Sequence, residues 1–349
     1  MHERFMRRAL DLATLGRGLV SPNPMVGCVI VHESEGGTRI IGEGWHQRYG
    51  DWHAEVNAVR SVQPEDAYLL PESTVYVTLE PCSHWGKTPP CANLLIDKQV
   101  KQVVCCNDDP NPLVSGQGFD RLRAAGVTVE TGVLNELGRQ LNARFFTFFE
   151  QQRPYLILKW AETADGFISG PAGQSIAISG PLAQRLVHRW RSEEDGIMVG
   201  TTTARIDNPR LNVRHWPGRN PTRIVIDKLL QLPASLHLFD NTQPTLVYNF
   251  QKTEISDQIT YQQLRSEKPF LSQLLADLHA RRIQSVFVEG GSLLLTSLLD
   301  AGFWDELRVF RSPKLVGDGV KAPTVRGTIQ SREQIGDDEL TIYRNNIRQ

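Results

Sequence analysis

Thr74-Val75-Tyr76-Val77-Thr78-Leu79-Glu80-Pro81-Cys82-Ser83-His84-Trp85-Gly86-Lys87-Thr88-Pro89-Pro90-Cys91 decides the reading of this chain once it is taken with His53-Ala54-Glu55 upstream. The alternation of Val75, Val77 and Leu79 predicts a strand, and Pro89-Pro90 ahead of Cys91, Ala92, Leu94, Leu95 and Ile96 predicts a helix that starts at Cys91. A cysteine at a helix N-terminus has a lowered pKa and is predisposed to ligate metal as thiolate. A catalytic zinc takes about three nitrogen or sulfur ligands and keeps one position open, and His53, Cys82 and Cys91 supply that number. Glu55 is then left over, one residue removed from a ligating histidine, where a carboxylate can move protons without binding the metal. A lone histidine on a helix is ordinarily a surface or core residue; the paired cysteines change that reading. The competing arrangement is a structural zinc closed by a fourth protein ligand, for which His84 is the nearby candidate.

Outward from this centre, strand and helix signals alternate. Phe5, Met6, Ala9, Leu10 and Ala13 recur at helical spacing until Gly16 and Gly18 interrupt them. Val20-Ser21-Pro22-Asn23-Pro24 is rigid turn chemistry leading into a strand over 26–31, a place to hold Asn23 at a pocket rim. Residues 33–38 read as a hairpin tip before a strand over 39–42, and 103–106 as a buried strand ending in the loop 108–112. Gly116-Gln117-Gly118 opens a helix; such a pair can receive phosphate but is also a common turn former. The succession up to about Arg144 fits a three-layer α/β domain. Past the aromatic-rich stretch 142–150, Gln151-Gln152-Arg153-Pro154 breaks the pattern, so the expected domains are 1–150 and 151–349.

The second half restarts as a strand over 155–160. Ser179-Gly180-Pro181 marks a helix start, with Ala183, Leu186, Val187 and Trp190 on its apolar face. A strand over 197–199 ends at Gly200, and 201–209 reads as a loop rich in hydrogen-bonding groups. Strands follow at 222–227 and 245–249, then Leu271, Leu274, Leu275 and Leu278 at core-facing helical spacing. Ser285 to Val288, Glu289-Gly290-Gly291 and a helical run over 293–299 form strand, glycine pair and helix, a seat suited to a pyrophosphate. The spacing is not the dinucleotide fingerprint Gly-x-Gly-x-x-Gly. A strand over 306–310 and the segment 311–317 are expected to complete the domain.

Composition bounds the function. With 349 residues, 40% hydrophobic and 22% charged, the chain has material for two cores. A formal net charge of -1 excludes the strong basic excess of a general nucleic-acid or anionic-membrane binder. No apolar run reaches the roughly 18 residues of a membrane span, and the residues after Met1 mix acid and base without a secretory core, so cytoplasmic residence is expected. Five cysteines do not suggest a disulfide framework; Cys28, Cys105 and Cys106 lie in apolar runs as small buried hydrophobes.

Four motifs, Pro22-Asn23-Pro24-Met25-Val26-Gly27, Gly44-Trp45-His46, His53-Ala54-Glu55 and Leu79 to Cys91, stand in the order found in the deaminase half of the bifunctional riboflavin-biosynthesis deaminase/reductases, which this chain resembles. In nucleoside deaminases the cysteines are Pro-Cys-x-x-Cys, whereas here a loop of eight residues separates them. Arg153-Pro154-Tyr155, Leu158-Lys159, Asp165-Gly166, Asp207-Asn208-Pro209-Arg210-Leu211, Val213-Arg214, Ile226-Asp227 and Val288-Glu289-Gly290-Gly291 are similar to the reductase half of the same family.

The resemblance implies an α/β protein with a cytidine-deaminase-like zinc domain followed by a dihydrofolate-reductase-like domain. It implies Zn2+ and NADPH as cofactors and a phosphorylated ribosylaminopyrimidine as substrate, with neither nucleic acid nor membrane as partner and with room for a homo-oligomer. Carried over by position, Glu55 is catalytic, His53, Cys82 and Cys91 hold zinc, and Asn23, His46 and Lys87 meet the first substrate. Ser175, Arg191, Leu211, Arg214 and Glu289 would face the ribosyl phosphate substrate of the reductase, and Ala161, Thr203, Asp207 and Gly291 would line the dinucleotide. Two departures stand out: Thr163-Ala164-Asp165-Gly166 for the common Ser-Leu-Asp-Gly, and Ala177 where many relatives carry tryptophan. Asp227-Lys228 offers both an acid and a base after a strand, which leaves the basis of the choice between NADPH and NADH open. The alternatives are a deaminase with an inactive reductase-like domain and a zinc-stabilised binding module, against which Glu55 argues.

Overall fold

The computed structural model describes residues 1–85, 89–112 and 114–345. The chain divides into two compact units, Met1–Gln152 and Arg153–Gln349. Among the described residues no helix is long and apolar enough to cross a membrane.

The first unit runs α1 (His2–Thr14), β1 (Gly27–Ser34), β2 (Gly37–Trp45), α2 (Ala54–Ser61), β3 (Ser73–Leu79), α3 (Cys91–Asp97), β4 (Gln102–Asn107), α4 (Gln117–Ala124), β5 (Thr128–Glu130), α5 (Asn135–Leu141) and α6 (Ala143–Gln151). Its five strands lie in the order β2-β1-β3-β4-β5; β1 is antiparallel to β2 and β3, and the rest are parallel. Period-two alternation sends Cys28, Ile30, Val75, Val77, Val103 and Cys105 to one face, against Ala54, Ala58, Leu95 and Leu122 of the helices. Val29, Val31, Tyr76, Val104 and Cys106 go to the other face, against Phe5, Met6 and Ala9 of α1. Both faces are covered, so the strands read as continuous apolar runs. Of the five free cysteines, Cys28, Cys105 and Cys106 are buried core residues, as expected.

Two glycines set how closely the helices approach. A Cβ on Gly27 would lie 1.9 Å from the Ala9 carbonyl oxygen of α1, and one on Gly44 would lie 2.3 Å from the Ala58 nitrogen of α2. Without Gly44, α2, at whose N-cap the metal-type His53 stands, could not sit this close to β2.

The second unit runs β6 (Tyr155–Glu162), β7 (Phe167–Ser169), α7 (Pro181–Glu193), β8 (Gly196–Gly200), α8 (Thr201–Asp207), β9 (Thr222–Ile226), β10 (Thr245–Asn249), β11 (Glu254–Ser256), β12 (Ile259–Gln263), α9 (Phe270–Ala280), β13 (Ser285–Val288), α10 (Ser292–Asp300), β14 (Glu306–Arg311), β15 (Val320–Lys321), β16 (Thr328–Ile335) and β17 (Asp338–Arg344). The main sheet has the order β11-β12-β10-β9-β8-β13-β6-β14-β17-β16. From β12 to β14 neighbouring strands are parallel; the edges are antiparallel. Leu274, Leu275 and Leu278 of α9 and Leu295, Leu298 and Leu299 of α10 pack with Leu156, Leu158 and Val288 on one face. Trp190 of α7 meets Phe287 and Phe310 at centroid distances of 5.9 and 5.6 Å.

Two sequence expectations change. Thr201 to Asp207 is a short helix, because Thr-Thr-Thr-Ala sits directly after the strand end at Gly200 and packs Ala204 inward. The domain is completed only by the hairpin β16–β17, which pairs with β14; its exposed face is polar, so it lacks the apolar run that marked the other strands.

Candidate active sites

His53 stands at the N-cap position of α2 with extended backbone, and Glu55 lies in the first turn of that helix. Cys82 follows β3, and Cys91 opens α3. The two cysteine segments are tied together: the Cys91 N–H points at Cys82 Sγ at 3.3 Å, and the Ala92 N–H donates to the Cys82 carbonyl at 3.2 Å. His53 Nδ1 lies 3.6 Å from Cys82 Sγ and 3.4 Å from Cys91 Sγ, and the three ligand atoms all fall within 4.8 Å of one another. Zinc bonds of about 2.0–2.1 Å to nitrogen and about 2.3 Å to sulfur at tetrahedral angles put nitrogen and sulfur about 3.5 Å apart, so the set fits zinc. His84 is exposed and does not belong to the cluster, which disfavours the closed four-ligand arrangement. Cys82 is held down to about 4, first by the hydrogen bond from Cys91, against burial and with His53 assisting; Cys91 is pushed up by the thiolate it faces and by burial.

Glu55 is 3% exposed, and burial pushes its carboxyl up to about 7, against the opposing pull of His53. Beside it, the His46 ring meets the His53 ring edge-on at 5.5 Å. The Trp52 carbonyl, 3.0 Å from His46 Nδ1, can only accept, so Nδ1 carries the proton and Nε2 accepts from the Asn23 amide at 3.1 Å. Burial lowers the His46 pKa against that carbonyl, which favours this neutral form. The structure thus brings Asn23, His46, His53, Glu55, Cys82 and Cys91 together; Lys87 lies outside the described residues.

Two further carboxyls nearby escaped the sequence reading. Glu80 is buried and accepts the N–H groups of Asp109 at 3.3 Å, Gly116 at 3.0 Å and Gly118 at 2.8 Å. The amides of the Gly116-Gln117-Gly118 pair are therefore engaged by a side chain, and a Cβ on Gly118 would lie 2.0 Å from the Pro81 carbonyl oxygen. Asp109, at the carboxyl end of β4, is pushed up to about 7 by burial, against its hydrogen bond from Asn111. Its signal was the loop 108–112 at a strand end; the neighbouring prolines made it read as a turn and nothing more.

In the second unit a cleft of about 1210 Å³ opens along the sheet. Ala161, Ser175, Thr203, Asp207, Glu289 and Gly291 line it, and so does Ala177. A Cβ on Gly291 would lie 2.7 Å from Thr203 Oγ1, so a larger residue there would force Thr203 to move. Arg191, Leu211 and Arg214 are not among the lining residues. Arg191 turns its fork on Glu289, with Nε and Nη2 donating at 2.6 and 2.9 Å, and its Nη1 donates to the Asn212 carbonyl at 3.1 Å. Burial works to raise Glu289, but the Arg191 charge and hydrogen bonds outweigh it and hold the carboxylate at about 2. Leu211 is buried at a φ of 50°, and its carbonyl accepts from Gln243 at 3.2 Å. Arg214 donates to Asn212 Oδ1, and its pKa is lowered by burial and by Arg191 and Arg210 nearby, so this corner is strongly positive. Lys159, noted in the sequence only as part of a motif, also lines the cleft; burial lowers its pKa, with Glu289 opposing and Arg191 assisting. A charge inside the apolar run 155–160 was the available signal.

Residues 1–107 match the family described as the cytidine and deoxycytidylate deaminase zinc-binding region, and residues 154–347 match the RibD C-terminal domain. The riboflavin biosynthesis protein RibD of Actinobacillus pleuropneumoniae is 39% identical over 362 residues, spanning 97% of this chain and 94% of that protein. Among solved structures, Acinetobacter baumannii RibD superposes with a TM-score of 0.88 at 32% identity, covering 98% of both chains. A Thermotoga maritima structure titled diaminohydroxyphosphoribosylaminopyrimidine deaminase/5-amino-6-(5-phosphoribosylamino)uracil reductase gives 0.87 at 35% identity, again over 98% of both.

Proposed function

The chain belongs to the RibD family of riboflavin-biosynthesis deaminase/reductases, and from that membership we propose how its two units divide the work. Met1–Gln152 deaminates 2,5-diamino-6-ribosylamino-4(3H)-pyrimidinone 5′-phosphate, and Arg153–Gln349 reduces the ribosyl side chain of the product to ribityl with NADPH. The observation that carries this reading is the convergence of His53, Cys82 and Cys91 within 4.8 Å beside the buried, unligated Glu55.

Zinc held by the triad supplies Lewis acidity that brings the pKa of water toward about 7. Glu55 moves the proton: its buried carboxyl accepts one from the attacking water and delivers it to the amine that leaves as ammonia. His46 and Asn23, fixed on each other, orient the pyrimidine. In the second unit NADPH supplies hydride. Lys159 and Glu289 both line the cleft, with Arg191 keeping Glu289 ionised. Arg214, reinforced by Arg191 and Arg210, suits the substrate phosphate, while Ser175, Ala161, Thr203, Asp207 and Gly291 support substrate and dinucleotide along the walls. The same reading makes the chain a cytoplasmic enzyme acting on a free phosphorylated small molecule, with self-association left to sedimentation measurements.

The test is product analysis from the diaminopyrimidine substrate with and without NADPH. Two successive products are expected with NADPH and the deaminated ribosyl product alone without it. Deamination without reduction under both conditions would leave the chain a deaminase only, and no turnover at all would reduce the zinc cluster to a structural site.

A further inference from the structure

We propose that His188 is a positioning residue for the reductase substrate: as a neutral acceptor on α7 it fixes the backbone of Arg214 and so aims that side chain at the substrate phosphate. The proposal rests on the reading of the second unit as a reductase in which Arg214 meets that phosphate, and names the residue that sets Arg214 in place. Arg214 lies in the stretch between α8, which ends at Asp207, and β9, which begins at Thr222. Of residues 208–220 only Leu211 is buried. A segment with so little apolar anchorage needs its backbone groups tied down if a side chain on it is to hold one place.

From Arg210 to Arg214 every residue has one backbone group held by another residue's side chain. Arg223 donates to the Arg210 carbonyl at 3.0 Å, Gln243 to that of Leu211 at 3.2 Å, and Arg191 to that of Asn212 at 3.1 Å. The Val213 N–H donates to Asn220 Oδ1 at 2.8 Å, and the Arg214 N–H to His188 Nδ1 at 3.1 Å. That last bond closes the series at the residue that carries the charge. His188 is 4% exposed and stands on α7 about one turn before Arg191, and its ring meets the His215 ring edge-on at 4.7 Å. Past His215 the loop stays on the same helix. Arg185 and Arg189 lie over the Trp216 ring at 5.4 and 5.6 Å from its centroid, and a Cβ on Gly218 would be 2.6 Å from that of Ser192. Arg185, His188, Arg189 and Ser192 share one face of α7 at helical spacing, so that face is the bed on which the loop lies.

The chemistry of the acceptor matters as much as its place. A backbone N–H can only donate, so Nδ1 is unprotonated and the ring is neutral, with its proton on Nε2. Burial, with Arg191, Arg214 and His215 beside it and Glu289 opposing, lowers the His188 pKa to about 4, which keeps that form. A carboxylate here would accept the same N–H but would pair with Arg214 or Arg191 and cancel charge available to a phosphate. A lysine or arginine could not accept at all. Neutral imidazole holds the backbone and leaves the corner formed by Arg191, Arg210 and Arg214 positive.

The experiment uses the full chain and steady-state reduction of the deaminated ribosyl substrate, with and without its 5′-phosphate, at saturating NADPH. H188L removes the acceptor and is expected to raise KM for the phosphorylated substrate about two- to tenfold, the loss of one hydrogen bond that orders its partner. It should leave kcat, KM for NADPH, turnover of the dephosphorylated substrate and deamination as they were. H188N, whose Oδ1 can stand where Nδ1 stood, should restore the wild-type KM, and H188D should raise it. An unchanged KM in H188L, an equal loss on both substrates, or no rescue in H188N overturns the assignment. Where H188L does not fold, H188N and H188D decide, and equal KM in the two overturns it. R214A separates the proposal from the reading beneath it. If R214A raises KM for the phosphorylated substrate and H188L does not, His188 loses its role and the phosphate reading stands; if R214A leaves that KM unchanged, both fall.

Discussion

The zinc cluster and the cleft of the second unit are built on opposite plans. In the first, three ligand atoms from two helix starts and one loop stand within 4.8 Å, and the buried Glu55 beside them forms no ion pair with a lysine or arginine among the described residues. In the second, about 1210 Å³ of space is lined by small, aliphatic, aromatic and charged side chains together, and Glu289 on its wall is bound to Arg191 outside the lining. The contrast teaches where function is concentrated. A metal site demands given side chains at short range, so one substitution removes it; a dinucleotide cleft spreads its recognition over many contacts, so each substitution only weakens it.

The largest effect that would break this contrast is at the metal. Cys91→Ser should remove zinc and abolish deamination while reduction of supplied deaminated substrate continues; metal analysis and product assays check it. Cys105→Ser should keep both, because a hydroxyl can make the bond that Cys105 Sγ makes to the Asn107 carbonyl. Next, Glu55→Gln should keep zinc and lower deamination about a hundred- to ten-thousandfold, since the amide keeps the shape and carries no titrating proton. Turnover near that of the wild type would pass the proton role to another group, with His84 the first to examine.

Arg191→Ala sharpens the other side. It should cut reduction efficiency about tenfold to a hundredfold and leave deamination running, so the deaminated ribosyl intermediate accumulates. It also strands Glu289 in a buried place with Lys159 as the remaining cation, and breaking such a pair costs about 3–5 kcal/mol. The sign with pH follows. Because the folded unit holds Glu289 at about 2, the pair stabilises the wild type above the ordinary carboxylate range and ceases to as pH falls toward about 2. In the variant burial acts nearly unopposed, so its melting deficit should be greatest near neutrality and shrink as the solution is acidified below about pH 5. A deficit that grows on acidification would mean that the pair does not hold the charge. The smallest effect is expected from Ala177→Trp, which adds a ring to the cleft wall and should lower KM for NADPH by a few-fold, in line with about 0.5–1.5 kcal/mol for an aromatic contact.

How much was legible in the sequence follows the same contrast. His53, Glu55, Cys82 and Cys91 could be read because ligand chemistry restricts residue type, and the strands of the first unit because both faces are apolar. Lys159 and Asp109 were harder, since their meaning lies in burial that no local pattern announces. The pairing of Arg191 with Glu289 joins residues far apart in the chain and was invisible until β13 was laid beside β8, the strand that follows α7. The hairpin β16–β17 escaped because a strand with a polar exposed face has the composition of a loop.

The place of β6 in the ten-stranded sheet governs the order in which the molecule can assemble. β6 opens the second unit but lies between β13 and β14, with Tyr155 opposite Ser285 and Ile157 opposite Glu306. Arg153, just before it, is clipped to Asp305 at 2.6 and 2.7 Å, and the same carboxylate accepts the Leu156 N–H. During synthesis the first unit can close its own sheet as it emerges, whereas β6 is exposed, apolar and unpaired until both distant partners have been made. At about 5–20 residues per second that interval is on the order of ten seconds, during which β6 is the segment of the nascent chain most in need of shielding from other strands.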